Sequence, residues 1–230
     1  MGSVTASIVK INDIMNVAFL LKEYFNGAND VSIDVFDSHS LNGVYQDVLR
    51  SLTSHFEIEL SVLQALSYCF YEILDNVHIH SGKPLGTAIT HFDASNNVLR
   101  VLVADDGMGI RASLAENEQY KNISEAEALN ICTHDAVTDG KGMGFGLFAT
   151  SRLMKDAGLG FVIHSGHHKL ISKGGNAEIK CNGYWSGTIV FLEICTSVDF
   201  DPNNIVGNRT DAAGQYNESF LETEELDTLW

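Results

Sequence analysis

The residues whose types and spacing could do chemistry fall in three short runs: Glu72-Ile-Leu-Asp-Asn76, Asp105-Asp106-Gly107-Met108-Gly109 and Gly140-Lys-Gly-Met-Gly-Phe-Gly146. In the first, Glu72, Asn76 and His80 recur at every fourth position. At about 100° per residue they form one narrow polar stripe on a helix. An amide oxygen such as that of Asn76 suits Mg²⁺, which takes few protein ligands and draws others from substrate phosphates. A carboxylate one turn earlier, Glu72, could orient or deprotonate a water or hydroxyl, and His80 could donate to a phosphate. Taken alone, such a stripe is also what many exposed helix edges carry.

In the second run, Asp105 follows a mostly apolar strand-like stretch, residues 98–104. A carboxylate at a strand end can accept from an exocyclic amine such as adenine N6. Gly107 and Gly109 would let backbone approach a flat ring closely; the plain counterpart is an Asp-Gly turn. In the third run, Gly140, Gly142, Gly144 and Gly146 alternate just before a helical pattern. Successive N–H groups there can form an anion nest, to which the following helix adds its positive end. Counting excludes two better-known loops. Phe145 and Leu147 stand where a Rossmann fingerprint needs its third glycine, and Gly140-Lys141 is followed by Gly142 rather than Ser or Thr, with Asp135 where a P-loop begins. The run is a phosphate loop of another type or a flexible loop.

The elements that must position these runs are readable from periodicity. Residues 58–80 form a helix pattern, with Leu63, Leu66, Phe70, Ile73 and Val77 at three- and four-residue steps. Residues 86–92 and 98–104 read as strands joined by the turn Asp93-Ala-Ser-Asn-Asn97. Residues 111–139 read as polar and irregular around one helix near 123–133. A helix over 144–157 stops at Gly158, and three strands follow near 160–165, 177–181 and 187–195. Upstream, residues 31–36 alternate like a strand and 41–56 read as a helix. The order predicts an α/β (α+β) two-layer sandwich: a mixed, mainly antiparallel sheet covered on one face by helices.

The chain has 230 residues and 45% hydrophobic content, enough for one well-buried domain plus extensions. The expected division is an N-terminal mixed extension (1–57), a core domain (58–198) and an acidic C-terminal tail (199–230). Residues 201–230 of it hold seven acidic residues against Arg209 alone; Phe220, Leu221, Leu226, Leu229 and Trp230 give it an apolar side. A net charge of −16 disfavours nucleic acid and anionic lipid as partners. No apolar run reaches the roughly 18 residues that span a bilayer, and residues 1–5 lack a signal-peptide pattern. The cytoplasm is the expected location, without membrane insertion. Cys69, Cys132, Cys181 and Cys195 lack metal-ligand spacing and read as reduced core residues.

The three runs resemble, in order, the asparagine box and the two glycine boxes of the GHKL superfamily, which includes gyrase B, a heat-shock chaperone, a mismatch-repair protein and bacterial histidine kinases. Glu72-Ile-Leu-Asp-Asn76-Val-His-Ile-His80-Ser81 resembles the kinase pattern E-x-x-x-N-A-x-K-H-S. Asp105-Asp106-Gly107-Met108-Gly109-Ile110 resembles D-N-G-x-G-I, and Gly142-Met143-Gly144-Phe145-Gly146-Leu147 resembles G-x-G-L-G-L. Gly187-Thr188 resembles the pair that opens the family's last core strand. The resemblance covers roughly residues 58–196 and implies the Bergerat ATP-binding fold with ATP and Mg²⁺ as ligands.

Carried over by position, Asn76 would bind Mg²⁺ and Asp105 would read adenine, with Gly107, Gly109 and Ile110 shaping the base pocket. Gly140, Lys141, Gly142, Met143, Gly144, Phe145, Gly146 and Leu147 would form the lid near the phosphates, joined there by His80 and Thr188. Glu72 would be the general base. Asp106 replaces the family's Asn and Ile79 replaces the kinase Lys. No acceptor-histidine helix precedes residue 58. This layout is similar to standalone bacterial domains such as anti-sigma-type serine kinases. The resemblance implies an enzyme that hydrolyses ATP or passes its phosphate to a protein partner in bacterial signalling; the alternative is a non-catalytic ATP-binding switch. The partner is unidentified, and a homodimer stays open.

Overall fold

The longest helix shows how the sequence builds this molecule. In the computed structural model, which describes residues 11–195 except 29 and 59, Leu60–His80 forms one helix. Its apolar stripe, including Leu66, Phe70, Ile73, Leu74 and Val77, is buried to within a few per cent. A second helix, Leu41–His55, buries Val44, Val48, Leu49 and Leu52 in the same way. Its start is tied by Asp37, whose Oδ1 accepts from the backbone N–H of His39 and Ser40. In chain order the elements are α1 (Ile11–Tyr24), β1 (Ser32–Phe36), α2 (Leu41–His55), α3 (Leu60–His80), β2 (Gly86–Asp93), β3 (Val98–Ala104), α4 (Gly109–Leu114), a 3₁₀ turn (Glu118–Tyr120), α5 (Glu125–Ile131), α6 (Gly146–Asp156), β4 (Gly160–Lys173) and β5 (Asn176–Cys195).

The five strands form one sheet in the order β1-β2-β3-β5-β4, so β3 lies at its centre. Every pairing is antiparallel, which makes the sheet uniform rather than mixed. The β2–β3 turn forms as the sequence suggests: Asp93 Oδ1 accepts from the Ser95 and Asn96 amides, and Asn97 takes a positive φ of 56°. Helices α2 to α6 join one face of the sheet in a continuous core that runs from Phe36 to Ile194. The fold is an α+β sandwich, as expected.

The other face is not bare. Leu20, Tyr24 and Phe25 of α1 and the residue after it pack on Ile89, Leu102, Ile189 and Phe191. Polar ties fix α1 there. Tyr24 Oη lies 3.1 Å from His164 Nδ1, and Lys169 Nζ pairs with Glu23 at 2.7 Å. Among the described residues before 58, β1 pairs with β2 along five positions, and α2 contributes to the main core.

The three short strands expected at the end are two long ones. They form a hairpin that turns at Gly174-Gly175, both with positive φ. Bulges near Ser165 and Gly166 break the period-2 pattern, and residues 176–184 are largely exposed, so the apolar alternation that marks a strand is weak there. In 111–139 the helix expected near 123–133 forms as α5, with a complete capping box, Ser124 with Glu127; the end of α4 and a 3₁₀ turn precede it. The segment anchors through Leu114, Ala128, Leu129 and Cys132. Of the cysteines, Cys69 and Cys132 are buried but Cys181 is exposed; all four are free thiols. The acidic tail lies outside the described residues. No described helix is long and apolar enough to cross a membrane.

Candidate functional site

A cavity of about 480 Å³ opens between α3, the C-terminal end of β3, the middle of β5 and the loop that leads into α6. That volume falls in the range of small-molecule sites, roughly 300–1,000 Å³. The polar stripe of α3 faces it, because the opposite stripe is used in the core: Glu72, Asn76 and His80 all line the wall. Asp105, Gly109, Ile110 and Thr188 form the far end. Lys141, Gly142, Met143, Gly144, Phe145, Gly146 and Leu147 form the roof. The three runs, scattered over some seventy positions of chain, thus meet at one surface. Gly107 and Gly140 do not line it. Gly107 acts through its N–H, which donates to the Asp105 carboxylate, and Gly140 sits on the exposed tip of the loop.

Asp105 is buried. Its Oδ1 accepts from the Gly107 N–H at 2.8 Å, and its own N–H donates to the Thr188 carbonyl at 2.9 Å. Burial pushes its carboxyl up to about 6, partly offset by donation from the backbone of Gly107 and Thr188. At neutral pH it is an ionised acceptor held in a fixed direction inside an apolar wall.

Glu72 sits differently. Burial raises its carboxyl, and a hydrogen bond from Tyr68 works against that rise. The first residue of α6, Gly146, packs so closely on it that a Cβ there would lie 2.3 Å from Glu72 Oε2. A carboxylate at a helix N-terminus is favoured by the helix dipole, so Glu72 also joins α6 to α3.

The sequence did not single out Asp139, yet it organises the roof. Its side chain is buried; Oδ2 lies 2.7 Å from His80 Nδ1 and accepts from Ser113 Oγ at 2.7 Å, while Oδ1 accepts from the Lys141 N–H at 3.0 Å. Burial alone would raise this carboxyl; the donors outweigh it and hold it below its ordinary value. The loop is thereby pinned to α3 and α4 at one point. Lys141 Nζ in turn pairs with Glu116 at 2.7 Å. Both basic side chains of the wall are therefore engaged by acids. An acid two positions before Lys141 reads in sequence as a turn former, which is why Asp139 carried no signal.

Four carboxylates, Glu72, Asp75, Asp105 and Asp139, line the cavity. A polyanion entering it needs a divalent cation to screen it, and the hard oxygen of Asn76 beside those carboxylates suits Mg²⁺. Among the described residues, no group of three or more His, Cys, Asp and Glu side chains is arranged to hold a metal ion. No family model matches the chain, and no curated protein does.

Proposed function

We propose that this chain is a Mg-ATP-binding domain of the GHKL type. The single observation that carries the reading is the buried Asp105 carboxylate, held by the Gly107 amide at one end of a cavity whose other end is the Asn76 stripe and a glycine loop. An acceptor in that position suits an exocyclic amine, while Gly107 and Gly109 keep the surrounding backbone close. When bound, the nucleotide with its magnesium supplies a transferable phosphoryl group. Asn76 would offer an oxygen to the cation, the amides near Gly142 to Gly146 would donate to the phosphates, and Glu72 would orient the attacking water or hydroxyl. A protein partner in bacterial signalling is the expected acceptor in the transfer form of the reaction.

A second reading has its own support. Glu72 is engaged by Tyr68 and packed on the start of α6, a placement that a purely structural carboxylate shares. In that case the domain binds ATP without turnover, and the loop over 137–146 transmits occupancy to a partner.

Calorimetric titration tests the common core of both. Wild type binds Mg-ATP, and Asp105→Ala binds it about 10-fold or more weakly, as expected for loss of a buried, ligand-paired acceptor. Equal affinity in a folded variant refutes the site. Turnover then separates the two readings. Glu72→Gln leaves binding near wild type and lowers hydrolysis about 100-fold if Glu72 is the base; a wild type that binds but never turns over, with or without partner, selects the switch.

A further inference from the structure

Behind the cavity wall, the stretch of β5 from Trp185 to Gly187 grips the Asp105 turn with residues that do not line the cavity. The regular pairing of β3 with β5 ends at Ala104 and Ile189. The Asp105 carbonyl lies just beyond, where a central strand runs out of backbone donors. The Trp185 indole meets it: Nε1–H donates to Asp105 O at 2.8 Å. Ser186 Oγ donates to the two following turn carbonyls, that of Gly107 at 3.2 Å and that of Asp106 at 3.5 Å. The approach is possible because residue 187 is glycine; a Cβ there would lie 2.2 Å from both Asp105 O and Asp105 Oδ1.

Trp185 is buried but lines no part of the cavity. Its indole is stacked on Phe19 of α1, centroids 5.8 Å apart and planes 19° from parallel. Phe19 is partly exposed and α1 is locked to β4 by its Tyr24 and Glu23 contacts. The carboxylate that faces the cavity is therefore held from two sides. Its Oδ1 is tied forward to the Gly107 amide, and its backbone carbonyl is tied back to an indole braced by a helix on the far face of the sheet.

We infer that Trp185 is a positioning residue for the site: its indole N–H fixes the Asp105 peptide plane, and through it the direction of the Asp105 carboxylate, with Phe19 of α1 bracing the indole. The inference rests on the reading of Asp105 as the adenine acceptor. An acceptor contributes to recognition only when its direction is set before the ligand arrives. Without the indole donor the plane between Asp105 and Asp106 is free to rotate, and the Asp105–Gly107 hydrogen bond loosens with it.

The test uses Trp185→Phe, which keeps an aromatic ring against Phe19 and removes the donor, and Phe19→Ala, which keeps the donor and removes the brace. In the ligand-free protein, exchange of the Gly107 amide, followed by NMR, rises about 5- to 10-fold in Trp185→Phe and about 2-fold in Phe19→Ala, while core amides such as that of Leu102 keep their rates. With nucleotide, Trp185→Phe loses about 5- to 10-fold in ATP affinity and none in GTP affinity, so the preference narrows. Unchanged Gly107 exchange overturns the inference whatever the nucleotide does. So does a uniform rise across all core amides with the ATP-to-GTP ratio intact, because that is a purely structural role. A wild type that binds no nucleotide refutes the adenine reading instead, and the Gly107 exchange arm still decides the positioning role.

Discussion

At the Asp105 end of the cavity, a Cβ on Gly107 would sit 2.2 Å from the Ser81 carbonyl oxygen; at the loop end, a Cβ on Gly142 would meet nothing within 4 Å. The two glycines come from the same kind of sequence run, Gly-x-Gly, and serve different physical ends. Around Gly107, backbone presses on backbone. The Met108 amide donates to Ser81 O at 2.9 Å, and β5 closes the turn from behind. Around Gly142 the chain is exposed and held by side chains instead: Thr138 Oγ1 donates to the Gly142 carbonyl at 2.7 Å, Asp139 accepts from the Lys141 amide, and a Cβ on Gly144 would lie 2.3 Å from Val137 O. One end of the cavity is a preformed template. The other is a short exposed loop secured by a few side-chain hydrogen bonds and the Lys141–Glu116 ion pair, with no backbone pressed against its tip.

The largest effect should come from spoiling the template. Gly107→Ala places a methyl group into the Ser81 carbonyl, and overpacking of this kind costs about 3 kcal/mol. For a chain of this size that lowers the thermal midpoint by roughly 6–12 °C, measurable by calorimetry. A midpoint within about a degree of wild type would mean that the turn yields, and that the contrast with the loop is not real.

Next is Asp105→Asn. The Asp105 carboxyl titrates at about 6 in the folded chain against an ordinary value of 3.8. Between those values the native state holds the proton and the unfolded state has lost it. Stability therefore falls as pH rises through that window, and the penalty persists at neutral pH. Asparagine removes it. The variant should be about 2 kcal/mol more stable than wild type at pH 7, with the gain shrinking toward zero as the pH approaches 3.8. Urea unfolding across that range checks both the sign and the window. A more stable but ligand-blind variant would identify the template as strained for function.

Smaller effects belong to the loop. Hydrogen exchange over residues 138–143 should slow about 5-fold, close to 1 kcal/mol, when a non-hydrolysable ATP analogue and Mg²⁺ are added. The amides of α5 should not respond, because that helix is already anchored by Ala128 and Leu129. Slowing that extends through α5 would give the whole of 111–141 the role of a lid. Smallest of all, Gly142→Ala should change stability by no more than about 0.5 kcal/mol by urea unfolding.

The same contrast explains what was legible in the sequence. Strong periodicity gave α3, and the Asp93–Asn97 turn gave the β2–β3 hairpin, because local physics alone dictates both. The cavity-facing residues Glu72, Asn76 and Asp105 were also legible, since their types and order carry chemistry, whereas Thr188 came only from the family resemblance. What escaped notice depends on tertiary placement. Helix α4 starts inside a run of glycine and aspartate that reads as a turn. Helix α1 is recognisable only from the sheet face it covers. Asp139 and Trp185 act through partners 59 and 80 positions away, and nothing in their immediate neighbours marks them out. The long β4–β5 hairpin reads in sequence as three pieces because residues 176–184 of β5 are largely exposed and bulges near Ser165 and Gly166 interrupt β4.

The central place of β3 has a consequence for how the chain is made. Its register joins Val98 to Cys195 and Ala104 to Ile189, so the neighbour on one side is synthesised at once and the neighbour on the other last. At roughly 5–20 residues per second, Asp105 emerges several seconds before Trp185 and Thr188 exist to hold it. Throughout that interval β3, an apolar strand, has one edge without its partner, the state in which nascent chains pair wrongly or recruit chaperones. A ligand that needs both Asp105 and Thr188 cannot shorten that exposure. It can only reward the finished sheet, whose stability then rises with ligand concentration.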